Sequence, residues 1–441
     1  MSSAAEPRVA AVTARCVSAA AEQVGGELLA LLPDPTGGLS FVTGGDGAWE
    51  GLVGWGEYAR LQVAGADAAA QISRWFHAHV AALDVDDPMA LPGSGPVCFV
   101  SLGFTPGDES VAVIPQVAVG RRAGRTWMTT IGAQRPALAH RRPLTAPGQV
   151  RYSDTELSTT DFMAAVEIAV GRIRAGGAAK VVLAHGLTAV TEFDVDERYL
   201  LSRLAARYPS CAIFAVAGLV GASPEMLMRR RGRSVASRVL AGTAWPQGGP
   251  ARGGVMPGGS PGGSATADSA DMHRVAADLM ASAKDMAEHR FAAESVARAL
   301  KPLTSVLDVP SAPSALELAN LTHLATDISG ELAADTDTAS TALDLAALLH
   351  PTAAVGGTPT AVAVAMIAEL ERAPRGRYAA PVGWMDTRGD GDFAIALRCA
   401  AVAGRSVTMM AGCGIVADSD PVTEAREAQI KMLPIRDALE S

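Results

Sequence analysis

The chain is poor in the features that would staple, anchor or attach it to a polyanion. Its five cysteines, Cys16, Cys98, Cys211, Cys399 and Cys413, lie far apart with no CxxC spacing. That argues against a disulfide framework or a zinc site and fits a reducing, cytoplasmic setting. The eight histidines contain no HExxH, and His77 and His79, beside Trp75 and Phe76, read as surface or packing residues. No run of about 18 uninterrupted apolar residues occurs, so no membrane-spanning helix is expected. The opening stretch carries Glu6, Arg8 and Arg15 without a long apolar run, so no signal peptide is expected. Positive charge is also scarce: Lys and Arg number 37 against 46 Asp and Glu, a net charge of -9. Nucleic acid and anionic membranes are therefore poor main partners. An anionic substrate would need a local cluster of cations or backbone N–H groups working against the overall field. No repeat at a solenoid period is present.

What is present is length and apolar content. With 441 residues, 49% of them hydrophobic, the chain can bury a large core. Dividing by about 150 residues per domain suggests two or three domains, a prior that large α/β enzymes break. Residues 1–150 read mainly as strands: "GPVCFVSLGF" and "SVAVIPQVAVGRR" alternate and are separated by a "TPGDE" turn. "AGADAAAQISRWFHAHVAAL" reads as a helix. The link "RPALAHRRPLTAPGQ" suggests a boundary near residue 150. Beyond it come a capped helix from "STTDF", a glycine stop at Gly176–Gly177 and a buried strand opening at Lys180. "CAIFAVAGLVGASPEMLMRRRGRSVASRVLAG" reads as a run of strands. The Gly/Pro/Ser-rich stretch over 246–270 reads as a mobile loop. One helix is expected through "DMHRVAADLMASAKDMAEHRFAAESVARALKPL", ended by Pro302, and a hairpin turning at Gly404.

A few charged residues sit badly in this pattern. Lys180 opens the apolar strand "KVVLA": either its amine snorkels to solvent, or it is a buried amine able to act as a base. Glu225, after Pro224 in "GASPEML", is a surface or helix-start carboxylate, or a general acid in a cleft. Glu288 has Lys284 one turn earlier, an ordinary i,i+4 pair. Glu424, Glu427 and Lys431 are spaced i, i+3, i+7 and share one helix face, either a solvated face or a charged wall. Together Glu288, Glu424 and Glu427 could supply the sparse carboxylate set that Mg²⁺ takes. Arg398, inside the apolar run "AIALRCA", needs a buried partner or an anionic ligand. The glycines of "AGCGIV" let a backbone approach a ligand closely.

The ordered set "KVVLA", "GASPEML", "LAGTA", "SAKDMAEH", "HLATDISGEL", "HPTAAVGGTP", "GDGDFAIALRCA", "AGCGIVADSDP" and "EAREAQIK" closely resembles the chorismate-utilising enzymes, and within them the isochorismate synthases. The resemblance covers roughly residues 155 to 440 and extends more weakly over 1–150, through "GPVCFVSLGF" and "RTWMTTIG". It implies a single large α/β (α+β) domain of antiparallel sheets flanked by helices. Residues 1–150 would form the variable part of that fold and residues 151–441 the catalytic region. It implies Lys180 as the base that activates water, Glu225 as the acid that protonates a leaving hydroxyl, and Mg²⁺ on Glu288, Glu427 and, close by, Glu424. Arg398, Lys431, Gly412 and Gly414 would meet substrate carboxylates; Gly242 and Thr243 would line the pocket. His323 and Thr352 are further substrate-site candidates. The substrate would be chorismate and the protein a cytoplasmic monomer. This chain has His185, Asp392 and Cys413 where relatives usually carry arginine, glutamate and alanine. The rival within the family is a salicylate synthase, which adds pyruvate elimination. Outside catalysis, the rival is a binding or partner subunit on the same scaffold, which loss of Lys180, Glu225 or Glu427 would have signalled.

Overall fold

The β-branched and alternating runs fold as strands, almost all paired antiparallel. The computed structural model describes residues 12–18, 27–44, 48–132, 142–245, 269–337 and 340–441. Most of the 246–270 stretch and part of the 135–149 link lie outside the described residues. Strands from the first 150 residues pair directly with later ones: Leu39–Gly44 with Ala212–Val216, and Val97–Ser101 with Pro381–Asp386. These pairings run through one hydrophobic core, so the described chain forms a single domain. Its central strands, among them Leu219–Ser223, Pro381–Asp386 and Gly391–Ile395, are buried on both faces. Continuous apolar runs are what such strands require.

Helices cover this sheet through apolar stripes. Thr159–Arg174 starts where the Ser158 hydroxyl accepts from the Asp161 N–H and buries Phe162, Ala165, Val166, Ala169, Val170 and Ile173. That is helical spacing, and each fully buried Val, Ile or Phe contributes about 1.5–3 kcal/mol. The helix packs on the strand Lys180–Thr191, which pairs along its length with Ser406–Ile415. Pro421–Glu440 begins at Asp420, whose Oδ1 accepts from the Thr423 N–H, with Pro421 in the first turn. The hairpin turns at Gly404 as expected, with φ 58°.

One element differs from expectation. The helix read through residues 271–303 is two helices, Ser269–Ala281 and Ala283–Leu300. Ser282 breaks it by turning its hydroxyl to the Asp285 N–H at 3.2 Å, capping the second helix. A serine that bonds locally to the backbone competes with helix continuation, and apolar periodicity alone does not register that. Pro302 falls in the short 3-10 turn that follows.

Candidate active site

Segments from distant parts of the chain enclose a cavity. The strand Ser234–Ala244 pairs with Thr322–Leu332, and the register slips between Ala241 and Thr243. Gly242 is the extra residue, with φ 73°, a bulge conformation that glycine adopts without a Cβ penalty. The bulge, Glu225, Glu288, His323, Arg398, Gly412, Gly414 and Lys431 all face the cavity.

Lys180 has no exposed surface, so the solvent-seeking alternative for this amine does not hold. Its Nζ lies 2.8 Å from Glu288 Oε1, an ion pair without hydrogen-bond alignment. The contact passes beside Gly414, where an added Cβ would sit 2.3 Å from Glu288 Oε1 and 2.7 Å from Lys180 Cε. The Lys284 side chain, the one-turn partner expected for Glu288, lies outside the described residues.

Glu225 is 3% exposed and stands between the strands Leu219–Ser223 and Met226–Arg231. Its carbonyl accepts from the Ile395 N–H at 3.1 Å, and Ser223 Oγ, 3.3 Å from the Glu225 nitrogen, donates to the Ile395 carbonyl at 2.6 Å. The backbone is thus fixed while the carboxyl faces the cavity. Burial pushes its pKa up to about 8, against the opposing pull of a Leu240 backbone hydrogen bond and of Lys180, Arg398 and Lys431. At neutral pH the group keeps its proton and can donate it.

Lys431 donates to the Gly412 carbonyl at 3.0 Å and lies 2.5 Å from Glu427 Oε1. Burial opposes its charge, but Glu427 overrides that and holds the amine protonated. The face carrying Glu424, Glu427 and Lys431 is therefore no solvated face: Glu424 and Lys431 are buried and Glu427 nearly so. Arg398 is buried at a left-handed backbone position, φ 48°, and its Nη2 lies 2.8 Å from His323 Nε2. The buried partner expected for it is a histidine.

The carboxylates fit a hard cation by donor type, though their grouping differs from the expected trio. Glu424, Glu427 and Cys413 each offer an atom within 4.8 Å of the others, while Glu288 is turned to Lys180. Cys413 is a soft donor the sequence had not placed there. Burial, and then Glu427, push its thiol far up, so it stays protonated and a poor ligand. The oxygen donors remain the set that suits Mg²⁺.

Thr352 is buried but is not part of the cavity wall, which nearby Ala354 and Val355 form. Of the three unusual residues, His185 packs on Phe162 with ring centroids 4.6 Å apart. Asp392 sits among Arg229, Arg231 and Arg122, which together hold its carboxyl down to about 2 against burial. Neither His185 nor Asp392 reaches the cavity wall. Sequence reasoning missed Arg375 in that wall. Its guanidinium is paired with Glu371 and donates to the carbonyls of Val182 and Val355, tying the base-bearing strand to the adjacent loop. "ERAPRGRY" offers no periodic signal; its charges and proline read as a surface turn.

Residues 97–437 match the family described as chorismate binding enzyme. The chain belongs to this family. Among its relatives, the salicylate biosynthesis isochorismate synthase of Pseudomonas aeruginosa is 36% identical over 305 residues, covering 68% of this chain and 59% of that protein. Isochorismate synthase DhbC of Bacillus subtilis is 36% identical over 282 residues, covering 62% of this chain and 65% of that protein. The alignments thus span about three fifths of these two relatives' own lengths. The structure of MenF, the menaquinone-specific isochorismate synthase from Escherichia coli, superposes with a TM-score of 0.74 at 23% identity, covering 97% of this chain and 94% of that one. That likeness bears on the fold, a mixed α/β domain dominated by antiparallel strands and flanked by helices. Among the described residues, no helix is long and apolar enough to cross a membrane.

Proposed function

We propose that the protein is an isochorismate synthase, converting chorismate to isochorismate in the cytoplasm. The observation that carries this reading is Glu225, a carboxyl held protonated in a cavity whose wall also carries Arg398 and Lys431. Chorismate is a dicarboxylate whose ring must lose its C4 hydroxyl and gain one at C2. Arg398, Lys431 and the backbone at Gly412 and Gly414 bind and orient the carboxylates. Lys180, acting as the neutral amine rather than as the ammonium paired with Glu288, takes a proton from a water as that oxygen bonds to C2. The ring double bonds shift, the C4–O bond breaks, and Glu225 donates its proton to the departing oxygen, which leaves as water. Atoms balance: one water enters, one leaves, and the proton on Lys180 returns to Glu225 through solvent. Glu288, Glu424 and Glu427 would hold Mg²⁺, which supplies Lewis-acid neutralisation of a substrate carboxylate.

The test is incubation of the full chain with chorismate and Mg²⁺ and identification of the product. Isochorismate is expected. Salicylate with pyruvate would replace this reading with a salicylate synthase, and no turnover by folded protein would overturn catalysis altogether. The product would supply menaquinone or siderophore synthesis; among the similar proteins, the Escherichia coli MenF is named as menaquinone-specific and the Pseudomonas aeruginosa enzyme as serving salicylate biosynthesis. The genomic neighbours would separate the two pathways.

A further inference from the structure

His323 is buried where the bulge at Gly242 meets Arg398. Its Nδ1 lies 3.0 Å from the Gly242 carbonyl oxygen and 3.2 Å from Thr243 Oγ1. Its Nε2 lies 2.8 Å from Arg398 Nη2. A guanidinium nitrogen can only donate and a carbonyl oxygen can only accept. The ring must therefore accept at Nε2 and donate at Nδ1. A doubly protonated ring, or one protonated at Nε2, would set two donors against each other at 2.8 Å. The second would also set two lone pairs against each other at the Gly242 carbonyl. One neutral tautomer closes the network.

We propose that His323 is a positioning residue, whose Nε2 lone pair aims the Arg398 guanidinium into the cavity and whose ring exchanges no proton during turnover. Arg398 needs such a hold. Its left-handed backbone is uncommon for a residue with a Cβ, and its long side chain has many rotamers. Arg398 lines the cavity, and with Nη2 held by His323 its Nε is buried without a hydrogen-bond partner among the described residues. The Gly242 bulge is then the base of a relay running from carbonyl to imidazole to guanidinium. The inference deepens the proposed chorismate site, and its first test does not depend on turnover.

That test is nitrogen NMR of the full chain with ¹⁵N-labelled histidine, the His323 signals assigned by their loss in His323→Gln. The expected state is a neutral ring protonated at Nδ1; an Nε2-protonated or charged ring would overturn the proposal. A second test separates binding from chemistry. His323→Ala should weaken chorismate binding by about tenfold or more, as expected when an anchoring contact is lost. His323→Gln can offer its carbonyl to Arg398 and its amide N–H to Gly242. It should recover most of that affinity and keep the wild-type shape of the kcat–pH profile. A Gln variant that binds chorismate well but loses a limb of that profile would make His323 a proton carrier and sink the positioning role. If the wild-type protein turned over no chorismate, the NMR result would still decide the tautomer.

Discussion

Glu225 meets two opposed requirements. Donating a proton at neutral pH needs a raised pKa, and burial supplies it, up to about 8 from 4.5. The same shift costs stability. Between those two values the unfolded chain ionises while the folded chain does not, so stability is lost as pH rises through the window and is fully retained below it. Glu225→Gln keeps the shape and removes the ionisation. It is expected to lose turnover by about 10²-fold or more yet to melt higher than wild type near pH 8. Lys180→Ala should show a comparable loss of turnover. The double variant should fall little further, because acid and base act in one step. Retention of more than about a tenth of turnover in either single variant would remove its assigned role. His185 gives the opposite pH dependence. Burial lowers its pKa from 6.5 to about 4, against the pull of Asp154, and neither ring nitrogen has a partner among the described residues. As pH falls from 6.5 toward 4 the unfolded chain takes up a proton that the folded chain refuses, and stability drops. His185→Leu should raise the melting temperature near pH 5 and flatten that slope; a slope identical to wild type would exclude His185 as its source.

At the scale of elements, the two glycines of "AGCGIV" separate strand pairing from site chemistry. Gly414 has an ordinary strand conformation, so alanine is no burden on the backbone there. The added Cβ would meet the ends of the Glu288 and Lys180 side chains. Gly414→Ala is therefore expected to keep the fold by circular dichroism and urea titration while lowering kcat more than tenfold, about 1.4 kcal/mol or more in the barrier. Normal turnover in a folded Gly414→Ala protein would show that the wall here has room to spare. Element identity was largely legible beforehand. The strand at Lys180, the capped helix before it and the hairpin at Gly404 each follow from apolar spacing and turn residues. The split at Ser282 was not, because a local side-chain bond outweighs a weak propensity signal.

Across the whole molecule, the proposed cation would join distant pieces of chain. Glu288 lies on Ala283–Leu300, Glu424 and Glu427 on Pro421–Glu440. An ion held between two helices of the folded chain stabilises it by mass action. Adding Mg²⁺ should raise the melting temperature of the wild-type chain in a thermal-shift titration, and Glu427→Gln should blunt the response. Chelation should abolish turnover while the fold survives, and added Mg²⁺ should restore it. Full activity in excess chelator would sink the metal assignment.

The sequence by itself determined the family, the antiparallel α/β architecture and the helix face on which Glu424, Glu427 and Lys431 lie together. Motif order and residue spacing are local properties and survive without coordinates. It also named Lys180, Glu225 and Arg398 as residues in the wrong surroundings, because a charge in an apolar run is conspicuous. Only the tertiary structure decided which of them are buried and what each one meets. Burial of Lys180, the raised pKa of Glu225 and the pairing of Arg398 with His323 all depend on strands and loops that meet across long sequence separations. The Glu371–Arg375 pair that ties the base strand to its neighbouring loop left no trace in the sequence. Burial and pairing belong to the assembled sheet, and the polar turn that carries this pair becomes interior only when that sheet closes around it.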